Sequence, residues 1–148
     1  MPSTVALPIA LIIIAGGLAA LQAPMNAALG RSLGSPVAAA AISFGVGFAA
    51  LLTLTFALGH GAMLERARAV DARLLLGGLL GAFYVWATLW AVPVLGIVTA
   101  VSGMILGQIV IALILDAFGP FGLPTHAITP TRLAAGALVA CGLILSRL

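Results

Sequence analysis

At 148 residues the chain is the size of one domain, yet 64% of it is hydrophobic and only 6% is charged, where soluble domains run at about 45–50% and 25%. Six basic and three acidic side chains cannot cover a water-facing globule, so a soluble fold would expose apolar patches and aggregate; the composition fits lipid as solvent. The net charge of +3 comes from scattered arginines with no basic run and no aromatic–basic groove, which excludes nucleic acid as a partner.

A bilayer core about 30 Å thick takes roughly 20 residues of helix. Only helices and closed barrels satisfy the backbone there, and no stretch shows the strict alternation of a barrel strand. The sequence therefore predicts an all-α integral membrane protein, residues 1–148 forming a single transmembrane domain of five helices. The first spans about 5–23. Residues 1–4 carry no Lys or Arg and the apolar run outlasts a signal-peptide core, so it reads as a retained membrane helix. The second spans about 37–58, with Pro36 at its first turn, where a missing N–H costs nothing. Residues 65–73 hold Glu65, Arg66, Arg68, Asp71 and Arg73 and read as an aqueous loop. The third and fourth span about 74–92 and 94–115, separated by a short turn at Pro93 and Gly96. Residues 116–130 contain too many Gly and Pro for a helix. The fifth spans about 131–146, short enough for Arg132 and Arg147 to snorkel to both interfaces.

Five spans place Arg66, Arg68, Arg73 and Arg132 on one side and Arg31 and Arg147 on the other. This bias weakly favours a cytoplasmic N-terminus and leaves open insertion in both orientations. Gly77 and Gly81, Gly103 and Gly107, and Ser43 and Gly47 are four apart, which is small-xxx-small spacing for close helix packing.

The ionisable groups all fall in loops or at helix ends, with no nucleophile–base pair and no cluster of metal ligands, so the sequence predicts neither an enzyme nor a cofactor or metal site. The lone Cys141 allows no intrachain disulfide. What remains is polar and uncharged. Gln22 and Asn26 are four apart with Pro24 between them. Pro24 removes a backbone hydrogen bond and is expected to break or kink the first helix. The two amides then either converge on a ligand, as broken helices do in transporters, or cap the helix and the following turn. Gln108 lies inside the fourth span, and an amide in hydrocarbon must face another helix or a cavity. On the third span Phe83, Trp86 and Trp90 form an aromatic stripe beside a small and polar one of Gly77, Gly81, Tyr84 and Thr88. Trp90 fits the interfacial belt, and Trp86 is deep enough to line an apolar or cation-binding pocket.

Gln22, Pro24, Asn26, Gly30 and Arg31, then Gly34-Ser35-Pro36, then Ser43, Gly45 and Gly47 resemble the opening of the YdcZ-like family of the drug/metabolite transporter superfamily. Gly77, Gly78, Gly81 and Tyr84 resemble its third helix. Pro93, Gly96, Gly107-Gln108 and Asp116 through Gly119 resemble its fourth helix and following loop, and Thr131-Arg132 with Gly136 and Gly142 its last. The ordered set covers nearly the whole chain. The resemblance implies a five-helix half-transporter of the bacterial inner membrane that works as an antiparallel dimer, a ten-helix inverted repeat. The dimer would be a homodimer or a heterodimer with a homologous chain. The first-helix glutamate of the small multidrug resistance proteins of that superfamily has no counterpart here, so their proton-coupled mechanism does not carry over.

The expected function is a transporter subunit moving a small solute by alternating access, with Gln22, Asn26, Ser43, Tyr84, Trp86 and Gln108 lining the pathway. The alternatives are a non-transporting membrane scaffold, or handling of lipid or hydrophobic solutes in a sideways-opening groove lined by Phe44, Phe48 and Trp86.

Overall fold

The structure is a computed structural model describing residues 3–148, with side chains from Val5 onward. Its elements are α1 (Ser3–Leu33), α2 (Pro36–Ala57), a 3-10 helix (Gly61–Ala69), α3 (Ala72–Leu95), α4 (Ile97–Phe118), a 3-10 turn (Pro120–Gly122) and α5 (Pro130–Leu145). Among the described residues there is no strand. Helices α1 to α4 are long and apolar enough to cross a membrane, and α5 is a shorter apolar helix of 16 residues, or about 24 Å of rise.

Three boundaries depart from the sequence expectation. Pro24 does not break the first helix: α1 continues through it to Leu33. In hydrocarbon an interrupted helix strands several backbone groups, whereas an inserted proline forfeits one hydrogen bond, so continuity is the less costly choice. At 31 residues, α1 is about 46 Å long and must tilt or project beyond a 30 Å core. Pro93 likewise lies inside α3, and the turn shrinks to Gly96 at φ +81°. The charged stretch expected as a loop begins as the 3-10 helix Gly61–Ala69. Elsewhere the expected signals hold. Pro36 opens α2, and the Ser35 side chain accepts a hydrogen bond from the Ala38 N–H at 3.2 Å, an N-cap.

The chain divides into two compact units, the first ending at Val94 and the second running Leu95–Leu148. In the first, α1 turns a stripe of small residues inward. Ala23, Asn26, Ala27 and Gly30 are all buried and recur at three- and four-residue steps, one face of a helix. The centre of the unit is Ala39 and Ala40 of α2 with Val85 and Leu89 of α3, and Leu29 of α1 packs against them. A methyl built on Gly30 would lie 3.5 Å from the Pro36 Cα and 3.7 Å from both the Ala39 Cβ and Leu89 Cδ2, so only small residues fit here. The glycine pairs picked out by spacing contribute less. Gly77 and Gly47 have open space at the Cβ position, while Gly81 meets the Phe44 ring at 3.7 Å.

The second unit is a hairpin of α4 and α5 fastened at both ends. At one end the Arg132 guanidinium is ion-paired with the Asp116 carboxylate, and the His126 N–H donates to the Asp116 carbonyl at 2.8 Å. Each charge sits at the unfavourable end of its own helix dipole and beside the favourable end of its neighbour's, so the pair suits the hairpin and not the isolated helices. At the other end the Thr99 hydroxyl donates to the Ser146 carbonyl at 3.3 Å, and the Ser146 hydroxyl donates to the Leu143 carbonyl at 2.7 Å. Between them Gly136 admits Ile109. Cys141 is exposed on α5.

Candidate functional site

Because α1 is unbroken, Gln22 and Asn26 stay one turn apart on the same face. Gln22 lies four residues past the midpoint of Ser3–Leu33, about 6 Å along the axis. The Gln22 side chain is exposed, whereas Asn26 is buried, 7% accessible.

Two crevices of the first unit share Gln22. The smaller, between α1 and α3, is lined by Gln22, Asn26, Tyr84 and Thr88 among apolar neighbours and has a volume of about 10 Å³. That is close to the least room one water needs, and four polar side chains supply its partners. The Thr88 hydroxyl also donates to the Tyr84 carbonyl one turn back, at 2.8 Å. The larger crevice, about 350 Å³ between α1 and α2, is lined by Gln22, Ser43, Phe44, Gly47, Phe48 and Leu51. Gln22 therefore lines both a polar slot and a mostly apolar crevice that is open along the exposed Phe48 and Leu51.

A third, open groove of about 570 Å³ lies between α2 and α3. Its lining is apolar throughout, including Val37, Ala40, Phe44, Leu80, Phe83 and Trp86. The Phe83 and Trp86 rings are tilted against each other at 5.7 Å. Phe44 belongs to this groove and to the Gln22 hollow alike. Trp90, exposed near the end of α3, lines a separate crevice with Arg31, Pro36 and Pro93.

Of the six residues expected to line a pathway, four come together around one position. Gln22, Asn26 and Tyr84 share the slot, and Ser43 shares the hollow with Gln22. Trp86 joins the apolar groove instead. Gln108 belongs to the second unit, at the middle of α4 with its side chain exposed. Thr88 lines the slot as well, and its i, i+4 step from Tyr84 on the polar stripe is the sequence signal for it. Among the described residues no group of three or more His, Cys, Asp or Glu is arranged to hold a metal.

A family model described as "Putative inner membrane exporter, YdcZ" matches residues 7–145 of the chain. No curated protein sequence matches, and no solved structure does.

Proposed function

The chain belongs to the YdcZ family of inner-membrane exporters and is a multi-pass membrane protein of the transporter kind, and from that premise we propose that it is one half of a dimeric carrier that moves a small solute by alternating access. The observation that carries the reading is the position of Gln22: an exposed amide on a membrane-length helix, shared by a polar slot and a crevice large enough for a small ligand. An amide facing hydrocarbon is costly and is expected to meet a partner. A solute in the hollow, hydrogen-bonded by Gln22 and Ser43, is such a partner.

The dimer has its own support. Gln108 is exposed at mid-span and needs a hydrogen-bonding partner. An antiparallel pair, from a second copy or a homologous chain, would set two such sites in inverted symmetry, the arrangement that rocking exchanges between the two sides. Reporter fusions to the C-terminus that are active only in the cytoplasm or only in the periplasm would both give signal if one chain inserts both ways. No catalytic step is assigned to the protein.

Reconstitution in liposomes tests the transport reading. The wild-type protein is expected to accumulate at least one solute from a broad panel of metabolites, and Gln22→Leu to lower that uptake tenfold or more. A dimer that moves nothing in the panel overturns the reading. A second reading, handling of lipid or hydrophobic solutes, is favoured by the apolar α2–α3 groove, which runs along Phe44 and Trp86 as that reading requires.

A further inference from the structure

We infer that the solute is amphipathic, with an uncharged hydrogen-bonding head held by Gln22 and Ser43 and an apolar body lying along Phe44 and Phe48; this rests on the transport reading above. The hollow that contains all four side chains has a volume of about 350 Å³, at the small end of ligand sites. Its polar groups are one amide and one hydroxyl, its remaining lining is Phe44, Gly47, Phe48 and Leu51, and it contains no charged side chain.

The chemistry of those groups sorts candidate heads. A neutral hydroxyl- or amide-bearing head exchanges hydrogen bonds with Gln22, which both donates and accepts, and with the Ser43 hydroxyl. A carboxylate or an ammonium seated between Gln22 and Phe48 would lose hydration with no opposite charge in the lining to replace it, which is the heavier desolvation cost. A fully polar solute leaves Phe44, Phe48 and Leu51 unused, and a fully apolar one leaves Gln22 and Ser43 unpaired. Matching heads and tails reverses both losses. Sites built around hydrogen bonds discriminate strongly against analogues that leave those groups unpaired. Phe44 is also a wall of the α2–α3 groove, so a longer apolar body can continue past it toward Phe83 and Trp86.

Trp86 provides the readout. The chain has two tryptophans, so the Trp90→Phe variant leaves Trp86 as the single emitter, in a groove that shares Phe44 with the hollow. In proteoliposomes of neutral lipid, the probe is 6-bromohexyl glucoside, whose bromine quenches tryptophan on contact. Unspecific partitioning into lipid gives linear quenching, and site binding adds a saturable component. The expected result is saturable quenching by the glucoside and at least tenfold weaker apparent affinity for 6-bromohexanoate and 6-bromohexyltrimethylammonium. Free glucose at high concentration should not compete. Gln22→Leu and, separately, Ser43→Ala should each weaken glucoside binding about threefold to tenfold, the range of one neutral hydrogen bond, while the linear component persists. Equal or tighter binding of either charged probe overturns the inference, as does saturable quenching that neither substitution alters. Because binding is read without transport, the two readings fail separately. A dimer that binds the glucoside but transports nothing contradicts the carrier. A dimer that transports a charged solute and rejects the glucoside contradicts only the solute class.

Discussion

The two units of this chain solve the same problem, joining helices in lipid, by opposite means. In the α1–α3 unit small residues do the joining: Gly30 of α1 lies against Pro36 and Ala39 of α2 and Leu89 of α3, close to the α1–α2 turn. Its polar side chains are left to line crevices beside that contact. The α4–α5 hairpin is held at its ends, by Asp116 with Arg132 and by Thr99 with Ser146. Its mid-span amide, Gln108, remains exposed. The polar groups that fasten the hairpin are consumed by the fold, whereas Gln22, Asn26, Ser43 and Tyr84 of the first unit line crevices. That difference is the physical reason for placing the solute site in the first unit.

The comparison can be broken most decisively at Gly30. Gly30→Leu drives a side chain into Pro36, Ala39 and Leu89, so overpacking should cost about 1–3 kcal/mol. Thermal unfolding in detergent should show the loss, and the slot of Gln22, Asn26, Tyr84 and Thr88, which shares Leu89 with this contact, should be disturbed with it. Gly30→Ala, whose added methyl meets only ordinary contacts, should be nearly silent.

A smaller effect is expected at Gly119, the left-handed C-cap of α4 at φ +59°. An added Cβ there would lie 2.7 Å from the Leu123 carbonyl oxygen, and the backbone conformation itself disfavours a side chain. Gly119→Ala should therefore lower stability by about 1–2 kcal/mol while leaving the saturable glucoside binding unchanged. Loss of binding together with stability would show that the units do not divide the work as described.

The smallest effect should come from the ion pair. Both partners are about one-third exposed, with side-chain accessibilities of 37% and 33%, so solvent screening limits Asp116→Asn to about 0.5–1 kcal/mol. The exchange Asp116→Arg with Arg132→Asp should recover the loss, since it keeps opposite charges together and moves each to the favourable end of its own helix. Failure of the exchange would mean that loop geometry at Gly119 and His126, rather than charge, closes the hairpin.

Much of this was legible in the residues. Long apolar runs specify the membrane helices because lipid leaves the backbone no other option, and Ser35-Pro36 marks the start of α2 by its capping chemistry. The Gln22–Asn26 spacing places both amides on one face. Of the two outcomes expected at Pro24, the break does not occur, because in lipid an interrupted helix costs far more than one missing bond. The burial of Asn26, the exposure of Gln22 and the role of Phe44 as a shared wall depend on which helices adjoin, and Gly-rich spacing alone favoured Gly77 and Gly103 over Gly30. Gln108 had the same sequence signal as Gln22, an amide in an apolar run, and both are exposed; Gln22 is set apart by the crevices it lines.

The solute route past Gln22 is tested most directly by accessibility. Cys141 is the chain's one cysteine, so a Cys141→Ser background accepts single cysteines cleanly. In membranes, the Gln22→Cys variant should react with a water-soluble, membrane-impermeant maleimide, while Ile12→Cys on the same helix, 74% accessible in the isolated chain, should not. Labelling of position 22 no faster than position 12 would place Gln22 in lipid and contradict the account.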